Sequence, residues 1–481
     1  MVSKRKRALA LVLTGMMAAA ALAGCTDGGG STTTSSSTPA AQNSSAGGSE
    51  GSTDAAATTD ILSDAMVNDV KDMLASEAKD GKITLKVWCS SSDLQFEKWL
   101  KDQFIERYSD SRYELKITPS SVEEPDVSSK LQADVSKGAD VFSFPDDQLR
   151  TLVDTGCIAQ VSSILNENVK KENTDASVEV CSIDGVPYAF PKTSDNGYFL
   201  YYDKRVFSDD DIKTFDGIIS KANSQNKNVL FAMDNAWYNA GFFFTAGCES
   251  SYDGKTQTTD FDSDKGLSAV KAMAHICESA GSGFIGSGGD ADVLAGFQNG
   301  TIAAAVTGTW NGPGIKEAIG EENVGATKLP TILINGEQQQ LCSFGGYKVE
   351  GVRANTEFPT AAQVYAYYVT SEQSQLYRYG GANVVKGKDK DGNDKVLSRG
   401  FIPTNKAALE TEDLKNDEAA IATNEQRPYS KPQSIVGGKF WSPQGNLGGS
   451  ILAAKGNLSE DEMKTQLKDT VTAFNKASDN S

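Results

Sequence analysis

The stretch Ile83-Thr-Leu-Lys-Val-Trp88 alternates apolar and polar residues, and the stretch 96–108 behind it spaces large apolar residues three or four positions apart. The first pattern predicts a half-buried strand that ends at Trp88, and the second an amphipathic helix. The same reading predicts strands over 113–118 and 140–144, with a helix over 127–135 between them. Strand–helix alternation of this kind predicts an α/β fold, with parallel strands and helices on the sheet faces.

The second half of the body repeats this alternation with different residues. Strands are predicted over 198–202, 229–233 and 301–307, and helices over 211–223 and 293–298. The 421 residues that follow position 60 are enough for two lobes with separate cores. In α/β sheets, ligands bind beyond the carboxyl ends of the strands, so the ligand site is expected at these ends.

The N-terminus has the pattern of an export signal. Four basic residues, 4–7, precede an apolar run over 8–21 that is too short to span a bilayer comfortably. The run ends in Leu22-Ala-Gly-Cys25, which looks like a bacterial lipobox. Residues 1–24 are therefore predicted to be a lipoprotein signal peptide, and Cys25 to carry the lipid. The alternative is an ordinary secretory cleavage site with an incidental cysteine.

Residues 25–60 are almost entirely Gly, Ser, Thr, Ala and Asp, and this composition predicts a flexible linker. Residues 61–80 place Met66, Val70 and Leu74 on one stripe, which predicts a short amphipathic helix outside the main fold. Since no later segment has the length and apolarity of a transmembrane helix, contact with the membrane is expected through the N-terminal lipid only.

The charge and the residue inventory exclude several function classes. The chain carries 46 Lys and Arg against 64 Asp and Glu, a net charge of −18, which becomes −22 without the four basic residues of the leader. So acidic a surface repels nucleic acid and suits a neutral or cationic ligand. A single histidine, His275, leaves little room for histidine-based catalysis, so the protein is not expected to be an enzyme.

No cofactor or metal is expected. The acidic turn 389–394 resembles a calcium loop, but Gly400 stands where such a loop has its bidentate Glu, so a polar hairpin turn is favoured. Six cysteines follow Cys25 without any CxxC pair, and six cysteines allow fifteen disulfide connectivities. Their pairing stays open, and buried free thiols are the alternative.

Three motifs occur in a characteristic order along the body. They are Gly138-Ala-Asp-Val-Phe-Ser-Phe144, the crossover Asp184 to Pro191 followed by Tyr201-Tyr-Asp-Lys204, and the segment Ala295 to Trp310. In order and spacing they resemble the family-one extracellular solute-binding proteins of ABC importers, which include the maltodextrin-binding proteins. The resemblance covers about residues 81 to 477.

This resemblance implies the two-lobed, type II periplasmic-binding-protein-like fold, in which a multi-strand hinge joins the lobes and closes on ligand. Lobe one is expected to comprise 81–192 and 346–398, and lobe two 193–345 and 399–477. The implied function is that of a monomeric, lipid-anchored protein on the extracytoplasmic face. It would capture oligosaccharides, above all malto-oligosaccharides, and deliver them to ABC permease subunits. The alternatives are another glycan, a non-sugar solute such as a polyamine or peptide, and an exported glycoside hydrolase.

The resemblance also assigns ligand-binding positions, with Asn196 as the alternative to Asp195 for the crossover carboxylate. Sugars present apolar faces and hydroxyl groups, so their sites pair flat aromatic rings with carboxylates and amides. Trp237, Trp310 and Trp441 are each expected in a loop, whereas Trp99 belongs to a helix stripe and should pack in the core. For Phe144, packing in the core is an open alternative. The complete expected set is Ser92, Asp93, Phe144, Asp147, Asp195, Asn196, Trp237, Tyr238, Trp310 and Trp441.

Overall fold

The computed structural model describes residues 60–281, 283–389 and 391–475. The predicted signal peptide, Cys25 and nearly all of the linker lie outside these residues. The described part contains two five-stranded sheets with helices packed against them, which confirms the α/β class. The sheet strands, in chain order, are β1 (Lys82–Cys89), β2 (Glu114–Ser121), β3 (Val141–Pro145), β4 (Ala189–Thr193), β5 (Phe199–Asp203), β6 (Asn228–Leu230), β7 (Phe284–Ile285), β8 (Ile302–Thr307), β9 (Val324–Thr327) and β10 (Lys348–Val352).

The first sheet has the order β2-β1-β3-β10-β4. Strand β1 pairs in parallel with β2 and β3, as the strand–helix alternation predicts. Strand β10 instead runs antiparallel to both β3 and β4. The reason is its connection: β10 returns from the second sheet, so it enters at the edge where β3 and β4 end. No strand is predicted from the sequence over 348–352, so this strand and its direction are findings of the structure.

The second sheet has the order β7-β6-β8-β5-β9. Strand β6 is parallel to β7 and β8, whereas β5 is antiparallel to β8 and β9. Strand β5 arrives directly from β4 of the first sheet and so runs away from the edge where β6 and β8 end. The carboxyl ends of β3, β4, β6 and β8 consequently lie at the edges of the two sheets that the chain crosses.

Three segments connect the sheets side by side. The first links β4 to β5, and the third is the segment around Ile402, whose backbone oxygen accepts from Ser194 N at 2.9 Å. The second contains the short strand Ser343–Phe344, which pairs in parallel with Ser430–Lys431. Such neighbouring crossovers are what a multi-strand hinge requires.

Helices cover both sheets. Around the first lie Val67–Glu77, Leu94–Tyr108, Val127–Ala133, Leu149–Asp154, Ser163–Glu172, Asp175–Glu179, Pro359–Val369 and Glu372–Tyr379. Around the second lie Phe215–Ser224, Ala236–Thr245, Asp264–Ser279, Asp290–Gln298, Gly312–Ile319, Glu418–Gln426, Trp441–Ala453 and Glu460–Phe474, and the short helices Lys406–Leu409 and Glu412–Lys415 lie near the third crossover. Two-residue to four-residue strands form the hairpins Ser182–Ile183/Val186–Pro187, Ser250–Tyr252/Gln257–Thr259, Thr331–Ile334/Glu337–Gln340 and Lys386–Lys388/Asp394–Val396.

The helix Leu94–Tyr108 shows how the apolar spacing produces the core. Phe96, Leu100 and Phe104 lie one turn apart and are at most 1% exposed. Burying side chains of this size contributes roughly 1.5–3 kcal/mol each. Trp99, on the flank of the same helix, is half-buried and meets the Tyr377 ring edge-on at 5.1 Å. It packs against the first core, as the helix stripe predicts.

The helix Val67–Glu77 belongs to the main fold, so its predicted place outside that fold is wrong. Val70 and Leu74 are fully buried in the core of the first sheet. Glu77 accepts hydrogen bonds from Thr360 N and Ala361 N at 2.7 and 2.8 Å. These donors are the unpaired amides at the start of the helix Pro359–Val369, so Glu77 caps that helix from outside.

Two open questions of the sequence receive structural answers within the described ranges. All six cysteines there carry free thiols. The acidic turn near Asp389 closes a hairpin, in which Asp389 Oδ1 accepts from Asp391 N and Asn393 N at 2.9 and 2.8 Å. No helix in this part of the chain combines the length and the apolarity needed to cross a membrane.

Candidate functional site

Four pairs of polar or aromatic residues follow the strands that end at the crossover edges. They are Asp146–Asp147 after β3, Asp195–Asn196 after β4, Trp237–Tyr238 after β6 and Trp310–Asn311 after β8. Hydrogen bonds and ring contacts join the last three pairs to one another. The turn 146–148 lies beside the turn 433–435, which carries one of the joining residues. The structure thus gathers one candidate site between the two sheets.

The aromatic part of the site, here called the aromatic wall, consists of Tyr198, Trp237, Tyr238 and Trp310. The rings of Trp237 and Trp310 are 5.8 Å apart at an interplanar angle of 42°. Tyr198 and Tyr238 lie 4.8 and 5.1 Å from Trp237 in edge-on arrangements. Both tryptophans are only half-buried, so they keep ring surface for a ligand.

The expected loops at these tryptophans are wrong for two of the three. Trp237 lies in the first turn of the helix Ala236–Thr245, where Asn235 Oδ1 caps the helix by accepting from Trp237 N at 2.9 Å. Trp441 begins the helix Trp441–Ala453. A helix start can present a side chain at a sheet edge as a loop does, while holding its backbone more rigidly.

Trp310 lies in a short 3₁₀ turn directly after β8, and its position depends on two neighbours. Its ring lies against Gly308, where an added Cβ would come within 1.9 Å of the ring, so any larger residue would displace the indole. Asp290 Oδ1 accepts from Trp310 Nε1 and from Asn311 Nδ2, both at 2.8 Å. The sequence reasoning did not single out Asp290, which begins its helix twenty positions earlier.

Asp195 lies buried in the first crossover, at 3% exposure. Its Oδ2 accepts from Thr309 Oγ1 and, at 3.0 Å, from Ile402 N, so it ties this crossover to the β8 end and to the third crossover. Its Oδ1 is also buried but has no hydrogen-bond partner among the described residues. An unpaired buried acceptor costs about 1–3 kcal/mol, and a ligand hydroxyl could supply the missing donor.

Asp146 and Asp147 form the acidic turn after β3. Burial raises the pKa of Asp146 to about 6, although Tyr347 N donates to its Oδ1 at 2.9 Å. Burial and the neighbouring Asp146 charge raise the pKa of Asp147 to about 7. Asp147 Oδ1 is a second buried acceptor for which the described structure provides no donor.

This turn leads to a prediction about pH. The folded pKa of Asp147, about 7, lies above its usual value of 3.8, so between these values the folded chain keeps a proton that the unfolded chain has lost. The stability that Asp147 contributes below pH 4 is therefore lost as the pH rises through about 7. Asp147→Asn has no proton to lose, so it should gain stability relative to wild type over this window and level off above it.

Urea unfolding at pH 4, 5.5, 7 and 8 measures this difference, with Asp469→Asn on the exposed face of the last helix as control. A difference between Asp147→Asn and wild type that stays constant across the four pH values would contradict the assignment of a raised pKa.

Asn196 joins the first crossover to the aromatic wall through Gln433. Gln433 Oε1 accepts from Asn196 Nδ2 at 3.2 Å and from Trp237 Nε1 at 3.0 Å. The sequence reasoning missed Gln433. The sequence feature that could have indicated a site residue is the position of Gln433 between Pro432 and Trp441, in a segment with no predicted helix or strand.

The structure contradicts two of the expected ligand positions. Phe144 is completely buried, with its ring 5.5 Å from that of Phe142, so it packs in the core and offers no face to a sugar. Asp93 is 1% exposed and lies inside a cluster of buried charges. Burial would raise its pKa, but the charges of Lys192, Arg378 and Arg399 outweigh burial and leave that pKa below its usual value. It neutralises cations of the protein itself.

We call this group the lobe-one charge cluster. Lys192 Nζ lies 3.2 Å from both Glu97 Oε1 and Glu350 Oε2, and 3.6 Å from Asp93 Oδ2. Arg378 reaches the same Glu97 oxygen at 2.8 Å. Lys192 is on β4 and Glu350 on β10, so the cluster fastens two strands that lead to the crossovers. Its members are Asp93, Glu97, Lys192, Glu350 and Arg378, and Arg399, just beyond the expected end of lobe one, reaches Asp93 Oδ1 at 3.8 Å.

Two further positions remain predictions. Ser92 is exposed and forms a hydrogen bond of 3.1 Å with Ser90 through its hydroxyl. Trp441 is half-buried and packs on Phe344 and Phe440, at 5.7 and 5.4 Å. In the part of the chain that the structure describes, no ring contact joins Trp441 to the aromatic wall.

The chain is similar to a known protein family and to solved structures. Residues 99–385 match the family described as bacterial extracellular solute-binding protein. A solved structure with acarbose is 31% identical to the chain. It superposes with a TM-score of 0.70, and the match covers 82% of this chain and 99% of the other.

Two relatives are oligosaccharide-binding proteins. The galactooligosaccharide-binding protein of Bacillus subtilis is 26% identical over 336 residues, which are 65% of this chain and 72% of the relative. The maltooligosaccharide ABC transporter solute-binding lipoprotein of Streptococcus pneumoniae is 24% identical, with the same coverage of both chains. The ligand-free maltodextrin binding protein of L. casei shares the fold, at 23% identity and a TM-score of 0.64 over 82% of this chain and 100% of the other.

Proposed function

Since the chain belongs to the bacterial extracellular solute-binding protein family, we propose that it is the lipid-anchored substrate-binding component of a carbohydrate ABC importer. As a monomer, it captures oligosaccharides, above all malto-oligosaccharides, between its two lobes. Closure about the crossovers encloses the sugar, and the loaded protein delivers it to the permease on the extracytoplasmic face of the membrane.

The observation that carries this proposal is the pairing of Trp237 and Trp310, half-buried and 5.8 Å apart at the edge between the sheets. Two tilted indoles present a curved apolar surface that fits successive sugar rings. Asp147 and Asp195 each keep a buried oxygen that no donor of the described residues reaches. Sugar hydroxyls are donors, so one ligand could satisfy both the apolar and the polar demands of the site.

The relatives support a sugar ligand and a role without catalysis. Two relatives are binding proteins for galacto-oligosaccharides and malto-oligosaccharides, and one related structure is solved with acarbose. We propose malto-oligosaccharides first because the three sequence motifs resemble those of the maltodextrin-binding proteins, and galacto-oligosaccharides are the alternative that the Bacillus subtilis relative suggests. Binding and closure require no bond to break, so the protein itself leaves its ligand intact.

A thermal-shift panel tests the ligand class on the purified chain. It compares maltotriose and maltotetraose with galacto-oligosaccharides, a tripeptide mixture and spermidine, each at 1 mM. With a Kd of roughly 1 μM, a malto-oligosaccharide should stabilise the protein by about 4 kcal/mol, a clear rise in Tm. A rise with galacto-oligosaccharides alone would move the proposal to that sugar. A rise with spermidine or peptides alone would refute it.

The anchoring proposal rests on the lipobox and predicts the behaviour of Cys25→Ala. Without the thiol no lipid can attach, so we expect the variant in the soluble extracytoplasmic fraction or the medium, while wild type sediments with membranes. Fractionation with metabolic labelling by a fatty-acid analogue measures both properties. Membrane retention of the unlabelled variant would mean that the apolar leader stays as the anchor.

A further inference from the structure

Gln433 lies where the first crossover, the aromatic wall and the acidic turn meet. Its Oε1 accepts from Trp237 Nε1 at 3.0 Å and from Asn196 Nδ2 at 3.2 Å. The turn 433–435 that carries it lies beside the turn 146–148 of the first sheet's edge. Gln433 Oε1 therefore connects two candidate ligand-binding residues, Asn196 and Trp237, that lie on different elements. The turn that carries Gln433 also lies beside the acidic turn.

The hydrogen-bond chemistry fixes the orientation of both amides. An indole Nε1–H can only donate, so the Gln433 atom that faces Trp237 must be the oxygen. The Asn196 atom that faces this oxygen must then be the amino nitrogen, which turns the Asn196 carbonyl oxygen away from Gln433. Gln433 thus determines where Asn196 presents its acceptor and holds the indole of Trp237 by the edge.

The backbone around Gln433 is held to the second lobe by a buried amide. Gln257, at 4% exposure, donates from Nε2 to Ile435 O at 3.1 Å and accepts at Oε1 from Gly437 N at 2.8 Å. Ser250 Oγ also donates to Ile435 O, at 3.3 Å. The hairpin Ser250–Tyr252/Gln257–Thr259 therefore holds the backbone that follows Gln433 in place, next to the two side chains that Gln433 bonds.

We propose that Gln433 is a positioning residue of the sugar site: it sets the plane of the Trp237 indole and the direction of the Asn196 carbonyl oxygen, and through both it determines affinity for oligosaccharide. This inference rests on the proposed function for its ligand. Its structural part concerns the indole and the amide, and it can be measured without ligand.

The test compares Gln433→Met with Gln433→Glu in the full chain. Met has a similar length but no acceptor, so the Trp237 and Asn196 donors lose their common partner. Two modest hydrogen bonds lost from the site should weaken maltotetraose binding about tenfold in calorimetry. Glu keeps an oxygen acceptor at this position, so it should retain affinity within about threefold. Gln298→Met, exposed at a helix end away from the site, is the matched control.

Proton–nitrogen NMR spectra of the tryptophan indole N–H groups supply the measurement that needs no ligand. The Nε1–H resonance of Trp237, assigned by Trp237→Phe, should move upfield in Gln433→Met and stay near its wild-type position in Gln433→Glu. Should Gln433→Met lower Tm by more than a few degrees, Gln433→Asn replaces it, because the shorter side chain withdraws the acceptor while remaining an amide.

An unmoved indole resonance, or a moved resonance with unchanged maltotetraose affinity, would overturn the proposed role of Gln433. Absence of any sugar binding by wild type would refute the proposed function instead, and the indole shift alone would then decide whether Gln433 positions Trp237.

Discussion

Lys192→Met is expected to lower the free energy of unfolding by about 3–5 kcal/mol, the usual cost of removing one partner from a buried ion pair. Lys192 is 2% exposed and lies within 3.6 Å of three carboxylates, those of Asp93, Glu97 and Glu350. Burial raises the pKa of Glu350 to about 6 even with Lys192 present, so losing that cation leaves carboxylates crowded and poorly solvated. The same residue also ties β4 to the centre of the sheet.

Chemical denaturation of wild type and variant at pH 7.5 measures this loss. Lys204→Met is the control, because Lys204 forms its ion pair with Glu418 at the surface, where such pairs contribute about 0–1 kcal/mol. A loss below 1 kcal/mol for Lys192→Met would show that the lobe-one charge cluster does not stabilise the fold. A selective loss of ligand affinity with unchanged stability would return Asp93 and its neighbours to the binding site.

Trp310→Ala is expected to raise the Kd for maltotetraose about 30-fold, which corresponds to about 2 kcal/mol. The substitution removes one of the two indoles of the aromatic wall. It also frees Asp290, which now holds Trp310 Nε1 and Asn311 Nδ2 together. Because the ring is half-buried at a sheet edge, its loss should leave the folded core intact.

Trp99→Ala provides the opposite case in the same measurement. Trp99 packs against the first core and Tyr377 and has no ring contact with the aromatic wall among the described residues, so its loss should lower Tm with little change in Kd. Calorimetric titration and thermal unfolding of both variants separate the two roles. Equal effects of the two substitutions on Kd would contradict the placement of Trp310 in the ligand site.

The fold was accessible from the sequence because its signals are local. The alternation around Ile83–Trp88 and the four-residue spacing over 96–108 depend only on which face is buried, and the structure has both elements. The antiparallel course of β10 was not accessible, because its direction follows from a crossing between lobes and not from its own residues. The helix Val67–Glu77 was placed wrongly for a similar reason. Its apolar stripe predicts a buried face, but its own residues do not indicate which part of the protein covers that face.

The site residues likewise differ in whether their local sequence predicts their position. Trp237 and Trp310 come soon after predicted strands, Asp195 is assigned by the resemblance alone, and the structure brings all three together. Phe144 ends a predicted strand, yet its side chain turns into the core, because the residue pattern of a strand buried on both faces does not tell which face borders the cleft. Asp93 has the local sequence of an exposed loop carboxylate. The cations that surround it come from positions 192, 378 and 399, so its local sequence gives no sign of them.

Gln433 and Asp290 show what single-sequence reasoning leaves out. Neither belongs to a recognisable motif, and each matters through a tryptophan distant in sequence, 196 positions away for Gln433 and 20 for Asp290. The polarity of an indole gives a general hint: a half-buried tryptophan needs an acceptor for its Nε1–H, so an acceptor must be sought once the ring is placed.

The most direct test of the central claim is a crystal structure of the chain with maltotetraose bound. The account predicts glucose rings stacked on Trp237 and Trp310, and sugar hydroxyls within hydrogen-bond distance of Asp195 Oδ1 or Asp147 Oδ1. A sugar bound away from these two indoles, or an aromatic wall left uncovered in a crystal saturated with maltotetraose, would contradict it.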